Sequence, residues 1–219
     1  MNVDLSGLDS HPRREEVVSS VIHGIGAALA VAALALLVTF AALIGDPWRI
    51  VSFSIYGATL VILYTSSTLF HGFRTPARKQ LLRIFDHAAI YLLIAGSYTP
   101  FLLVSIRGPL GWTLFGVTWG FAVLGVVQAA LFLDRLKLLS LIAYLGMGWL
   151  IVAALKPLAA ALPLGGMIWL ALGGVLYTLG VVFYVIRRIP YNHAIWHLFV
   201  LAGSISHFFA MLLYVLPAA

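Results

Sequence analysis

The sequence contains no cysteine, and only 9% of its residues are charged. Without cysteine there can be no disulfide and no thiolate ligand, so a metal site in this chain must be built from histidine and carboxylate. Soluble domains carry about 25% charged residues, and a charge content this low excludes an ordinary water-soluble domain. The net charge of +6 does not indicate nucleic acid, because the lysines and arginines stand in short connections between apolar runs.

Hydrophobic residues make up 63% of the 219 positions. Runs of roughly 20 apolar residues can cross a bilayer as helices, and seven such runs predict an all-α membrane protein, a seven-transmembrane helix bundle. Residues 1–16 are predicted to be a short cytoplasmic N-terminal segment, and residues 17–219 a single transmembrane domain. The predicted spans are residues 17–44, about 50–73, about 84–105, 110–133, 138–155, 164–186 and about 192–216.

Lysine and arginine are divided unevenly between the two ends of these spans. The end that holds the N-terminus carries ten of them, and the opposite end carries three. Positive residues are retained on the cytoplasmic side of a membrane. The N-terminus is therefore predicted to be cytoplasmic and, after seven spans, the C-terminus outside.

Proline and glycine predict two local features of the spans. Pro100 lies inside the third span, where its missing N–H is expected to kink the helix and free a carbonyl. Five glycines are small enough to allow close contacts between helices. They are Gly146, Gly148, Gly173, Gly174 and Gly180.

Ionisable residues within spans are costly and are therefore candidates for function. His193 and His197 are four residues apart, so on a helix both imidazoles project from one face, as two ligands of one metal ion must. His71 ends the second span and Asp86 starts the third, which places both at the same cytoplasmic depth. An alternative for His193 and His197, taken alone, is a pair of interfacial histidines at a helix end. The alternative for Asp86 is an ion pair with Arg83.

Three imidazoles and a nearby carboxylate have a specific chemical meaning. Three nitrogens leave the fourth position of a zinc ion open for water, whose pKa falls to about 7, and Asp86 can orient that water or accept its proton. Such a site hydrolyses amides or esters, and at a membrane interface we expect the carbonyl to belong to a lipid. Ser67 shares the face of His71 one turn deeper, with a bond to its own helix backbone as the alternative.

The remaining histidines of the spans are interpreted as supporting residues. His207 stands ten residues beyond His197, about 15 Å along a helix, which is too far to bind the same ion. It is expected to be buried and hydrogen-bonded, and a part in a substrate or proton path is the alternative. His23 and His87 are predicted to be structural or to support the ligands. A haem on His193 and His207 would need similarly spaced partners, which the sequence lacks.

Together these residues resemble a known family, the hemolysin III branch of the progestin and adipoQ receptor (PAQR) family. The resemblance implies a zinc ion on His71, His193 and His197, with Asp86 beside the zinc-bound water and Ser67 close to the site. Ser19 departs from the pattern, because many bacterial members have asparagine there. The likeness rests on residues 67–71, 85–86, 96–101 and 193–197, extended into the first span by Glu16 and residues 23–26.

The resemblance also implies a function and a location. Adiponectin receptors and alkaline ceramidases share the pattern and are linked to ceramide hydrolysis, while the hemolysin name reflects cell lysis attributed to some bacterial members. The resemblance thus implies a multi-pass protein of the bacterial inner (plasma) membrane. It also implies a zinc-dependent, ceramidase-like hydrolase that has a membrane lipid as its substrate or ligand and acts in lipid homeostasis. The alternatives are a zinc-stabilised receptor or sensor without turnover and a cytolytic protein. No span carries a polar stripe wide enough for a pore.

Overall fold

A computed structural model describes residues 12–217 of the chain. Seven helices, each long and apolar enough to cross a membrane, make up nearly all of that part, and no strand occurs in it. The predicted all-α, seven-helix architecture is confirmed, while residues 1–11 of the predicted N-terminal segment lie outside the described residues. The helices are α1 (Arg13–Ile44), α2 (Pro47–Gly72), α3 (Pro76–Ser105), α4 (Pro109–Phe132), α5 (Lys137–Ala161), α6 (Leu164–Val185) and α7 (Asn192–Val215).

Two helices begin four or more residues earlier than their apolar runs predicted. α1 begins at Arg13, four residues before the predicted span, and Glu15 and Glu16 in its first turn interact favourably with the helix dipole. α3 begins at Pro76, about eight residues before the predicted span, because a proline at the first helical position loses no hydrogen bond. The basic connection predicted after α2 is therefore mostly helical. Asp86 lies ten residues into α3 instead of at its start.

α5 continues past its predicted end, through Lys156 and Pro157. The segment Leu150–Ala154 is a 3₁₀ helix, and α-helical bonding resumes at Leu155. Pro157 is then the third residue of the resumed α-helix, where a backbone N–H would have no partner within the helix. The connection predicted at these residues was wrong, because proline is tolerated at this position.

Pro100 marks the predicted interruption of α3. α-Helical bonding ends at this residue, and the last turn of the helix, Phe101–Ser105, is π-helical. The start of α4 packs directly against this turn, since a Cβ at Gly111 would lie 2.5 Å from the carbonyl oxygen of Leu102. A residue without a side chain is required at that contact.

α2 and α3 form the buried centre of the bundle, whereas α5 and α6 face mostly outward. Helices adjacent in sequence pack side by side from α1 to α4, α6 packs along α7, and α7 returns to α1. Outward positions carry large apolar side chains such as Val21, Leu124 and Ile168, as expected for helices surrounded by lipid. This arrangement brings the end of α2 and the start of α7 to the same end of the bundle, beside the first turn of α1.

Two of the five glycines named above lie at close contacts between α6 and α7. A Cβ at Gly173 would lie 2.2 Å from the His207 ring, and one at Gly180 would lie 2.7 Å from the Trp196 ring. Both glycines therefore let the two backbones approach. The prediction was wrong for three others, beside which there is open space: Gly146, Gly148 and Gly174.

The orientation of the bundle stays a prediction from the ten-to-three distribution of lysine and arginine. A reporter enzyme that is active only outside the cytoplasm is expected to be active when fused after Ala219 and inactive when fused after Arg78. Immunoblots of the two fusions control for unequal amounts. The reverse pattern of activity would place the N-terminal end of the bundle outside the cell.

Candidate metal centre

Three histidines from two helices converge at one end of the bundle. His71 is the last residue but one of α2, and His193 and His197 lie in the first turns of α7, where their spacing places them on one face. The Nε2 atom of His71 lies 3.0 Å from that of His197 and 3.3 Å from that of His193. All three residues are buried, and one nitrogen of each lies within 4.8 Å of the others. The structure thus brings together the three residues predicted as ligands.

The geometry of this cluster fits a metal ion bound by three imidazoles. Zinc–nitrogen distances of about 2.0–2.1 Å place the nitrogens of a tetrahedral site roughly 3.3 Å apart, close to the two separations from Nε2 of His71 given above. Nδ1 of His71 lies 3.0 Å from Oε2 of Glu16. An ionised carboxylate can only accept a hydrogen bond, so Nδ1 of His71 carries the proton. Nε2 then presents its lone pair to the centre of the cluster. The cluster has the composition and the spacing of a metal site.

Two adjacent carboxylates in the first turn of α1 hold the two ligand helices. Oε2 of Glu16 accepts hydrogen bonds from Nδ1 of His71 at 3.0 Å and from Nζ of Lys79 at 2.7 Å. Oε1 of Glu15 accepts from the backbone N–H of His193 at 2.9 Å. Such contacts fix the orientation of metal ligands. This role of Glu15 was not predicted from the sequence, although a pair of carboxylates at the start of a span, where an unpaired charge is costly, was an available signal.

The chain reverses sharply just before the two histidines of α7. Tyr191 adopts the left-handed conformation, with φ 58° and ψ 29°, and within residues 12–217 no other residue except glycine has a positive φ. The side-chain amide of Asn192 donates to the carbonyl of Phe183 at 3.0 Å, which ties the start of α7 to α6. A residue in this conformation is held there by its surroundings. This turn lies directly before α7, two residues ahead of His193.

A family model described as "Haemolysin-III related" matches residues 12–208, which is most of the chain. The chain belongs to the hemolysin III family. It is 49% identical to the Hemolysin-3 homolog of Bacillus subtilis over 201 residues, which cover 92% of this chain and 94% of that protein. It is 47% identical to Hemolysin-3 of Bacillus cereus over 206 residues, 94% of each chain. The human monocyte to macrophage differentiation factor is 34% identical over 177 residues, 76% of this chain and 71% of that protein.

Membership of the hemolysin III family confirms the predicted resemblance to the hemolysin III branch of the PAQR family. Together with the seven apolar helices, it confirms a multi-pass integral membrane protein. The relatives from two Bacillus species agree with the predicted location in a bacterial plasma membrane.

In this hemolysin III protein, Asp86 lines the same cavity as two of the clustered histidines. Its side chain is buried on α3 and borders the cavity together with His193 and His197. The group of ligand atoms within 4.8 Å of one another consists of the three histidines and does not include Asp86. Arg83, its alternative partner, also donates to Oδ2 of Asp134 at 2.8 Å, and an ion pair between Asp86 and Arg83 stays the alternative. The role of Asp86 beside a metal ion stays a prediction.

Ser67 differs from its two neighbours in how its hydroxyl is used. Ser66 donates to the carbonyl of Ile62 at 2.7 Å, and Thr68 donates to that of Tyr64 at 2.6 Å, so both are satisfied by the backbone of α2. Ser67 is fully buried and lines the cavity, yet its Oγ has no hydrogen-bond partner in the part of the chain that the structure describes. The alternative of a serine bonded to its own helix is wrong here.

The cavity has a volume of about 160 Å³ and a largely apolar wall. It is bordered by His193 and His197 of the cluster and, ten residues farther along α7, by His207. His207 is buried, and its Nε2–H donates to the carbonyl of Leu170 at 3.3 Å, so the expectation of a buried, hydrogen-bonded histidine is confirmed. The cavity therefore extends from the cluster towards the middle of the bundle.

Two other histidines border the same cavity without joining the cluster. His23 is buried, and the centroid of its ring lies 3.7 Å from that of His197. The Nδ1–H of His87 donates to the carbonyl of Arg83 at 2.9 Å. Neither residue belongs to the group whose nitrogens converge, which agrees with their interpretation as supporting residues.

Proposed function

We propose that this protein is a zinc-dependent hydrolase of lipid amide or ester bonds, similar to ceramidases, that acts in membrane-lipid homeostasis. The observation that supports this most is the convergence of three histidine nitrogens beside a cavity that Asp86 and Ser67 also line. Polar and ionisable side chains inside a membrane-spanning bundle are costly. A cluster of them at one depth is therefore expected to serve a function.

Zinc is the ion that we expect on His71, His193 and His197. Imidazole nitrogen suits zinc, and the chain has no cysteine that would favour a closed thiolate site. Three protein ligands leave one position open, which is the pattern of catalytic zinc sites. When bound, the ion supplies a Lewis acid and lowers the pKa of a coordinated water to about 7.

The side chains around the cluster have separate tasks in this proposal. Asp86 orients the attacking water and accepts its proton, and the acyl carbon gains the hydroxyl group. Asp86 then returns that proton to the nitrogen or oxygen that leaves. Ser67 donates its hydroxyl to the substrate carbonyl, which gives the buried Oγ a partner. Glu16 holds the ring of His71 in one tautomer and one orientation.

The surroundings of the cavity favour a lipid substrate. Its wall is largely apolar, and it lies within a bundle whose outward positions carry large apolar side chains. The acyl chain of a membrane lipid can contact this apolar wall without replacing a buried polar contact. A ceramide-like amide, or another acyl lipid, fits these conditions.

A zinc-stabilised receptor or sensor without turnover is the second candidate. The cluster joins α2 to α7, and Glu15 and Glu16 join both of these helices to α1. An ion held there therefore also holds α2 to α7. This contribution to stability needs no chemical reaction.

Turnover of a lipid by the reconstituted protein tests the proposal. The protein is expected to release fatty acid from a ceramide or another acyl lipid, to lose this activity in a chelator, and to regain it when zinc is added. His71→Ala serves as the control and is expected to stay inactive throughout. If no acyl lipid is hydrolysed and chelation lowers only the melting temperature, the sensor replaces the hydrolase.

A further inference from the structure

A second cavity lies at the same end of the bundle as the histidine cluster, on the other side of His71. It has a volume of about 530 Å³ and is formed by the first turns of α1, the end of α2, the connection to α3 and the first turn of α3. Three cations line it, Arg13, Arg74 and Lys79, together with one carboxylate, Glu16. Of the three clustered histidines only His71 borders this second cavity, whereas His193 and His197 border the first. The two cavities share no lining residue and are therefore separate.

The charges around this second cavity are not balanced. Lys79 donates to Glu16 at 2.7 Å, and this pair is neutral. The structure pairs neither Arg13 nor Arg74 with a carboxylate among residues 12–217. Two positive charges therefore remain, both on guanidinium groups. A guanidinium presents a planar fork of donors that matches a phosphate or carboxylate group with two parallel hydrogen bonds.

An apolar strip continues from these cations along the outer face of α1. Val17 and Val21 also line the second cavity; they are one helical turn apart and are 50% and 56% exposed. Phe73 adds a third exposed apolar side chain at the end of α2. A free phosphate ion would use only the cations. A phospholipid would use both parts, its phosphate on the arginines and the start of its acyl chains along the valines.

We propose that the second cavity binds the phosphate group of an anionic membrane phospholipid. Arg13 and Arg74 donate to the phosphate oxygens, and Val17 and Val21 contact the lipid chains. The site is independent of the proposed hydrolysis. It adjoins the histidine cluster through one carboxylate, because Oε2 of Glu16 contacts both Lys79 and His71.

Binding of fluorescent phosphatidylglycerol to the full-length protein in neutral detergent tests this proposal. R13Q combined with R74Q is expected to weaken binding roughly 30-fold, from the loss of two cations near an anionic headgroup. The matched control combines R135Q with R188Q, two exposed arginines in connections at the same end of the bundle, outside the cavity. The control is expected to change the affinity less than twofold.

Two outcomes would overturn the proposal. An equal loss of affinity in both double variants would mean that surface charge in general attracts the lipid. Full displacement of the lipid by inorganic phosphate at an equal concentration would mean that the site takes the free ion. If the R13Q/R74Q protein does not fold, R74Q alone, in an exposed connection, is expected to weaken binding roughly fivefold, and unchanged binding would again refute the site.

Discussion

Asp86→Asn is expected to remove lipid hydrolysis while most of the bound zinc remains. Asparagine keeps the size of the side chain but cannot accept a proton from water, and the loss of a general base lowers the rate by about 10²-fold or more. The residue lies on the cavity wall but outside the group of three converging nitrogens, so the ligand set is preserved. Rates of fatty-acid release and zinc content, measured on the same preparation, check this expectation.

Asp134→Asn is the matched control for this variant. Asp134 is a carboxylate at the same end of the bundle, but it is exposed and bonded to Arg83. Its replacement is expected to leave turnover within about twofold, because surface ion pairs contribute little to stability or function. If turnover survives Asp86→Asn unchanged, Asp86 does not act as the base.

His193→Ala and His197→Ala are each expected to lose zinc, whereas the unmodified protein is expected to hold about one ion per chain. Replacing a residue that is hydrogen-bonded to a metal ligand typically lowers metal affinity by about 10- to 100-fold. Replacing a ligand itself is expected to lower metal affinity by more than about 100-fold. Glu16→Gln is expected to lower zinc affinity less, because Glu16 contacts the histidine cluster only through Nδ1 of His71. Elemental analysis after dialysis against a weak chelator measures all three.

His207→Ala provides the comparison for the metal measurements. It removes a buried histidine from the same helix, ten residues beyond the cluster. Zinc content is therefore expected to stay at about one ion per chain. Full zinc retention in both His193→Ala and His197→Ala would refute the ligand assignment, even if both proteins are less stable.

The meeting point of the histidines could be predicted because it follows from chain direction alone. His71 ends one membrane span and His193 begins another that starts from the same side, so the two must come to the same depth. The spacing of His193 and His197 then fixes a common face. No side-chain packing enters this reasoning, and the structure confirms the convergence.

Helix ends were predicted less well, because hydropathy measures apolar character and not helix formation. Arg78 stands in the first turn of α3, where a long basic side chain extends its charged end to water while the backbone stays helical. Pro157 was interpreted as the end of a helix, yet it lies where a missing N–H costs nothing. In both cases a polar residue or a proline was taken to mark a connection between helices, although the backbone there is helical.

Individual contacts could not be predicted, since they depend on how each helix is rotated about its axis. α1 and α4 are apolar nearly all round, so the sequence does not say which face is buried. Two features became visible only in the packed bundle: the bond from Glu15 to the backbone of His193, and the buried hydroxyl of Ser67 that makes no bond to its own helix.

The sequence separation within the histidine cluster has a consequence for how the protein matures. His71 and His193 are 122 positions apart, one in the second helix and one in the last. At synthesis rates of 5–20 residues per second, roughly 6 to 24 s pass between their emergence from the ribosome. During that interval the growing chain offers one of the three nitrogens, so any ion that needs all three is acquired only after the last helix has been inserted. If the proposed ion binds, its loading is expected only after α7 is in place, and full occupancy would report that α2 and α7 have met.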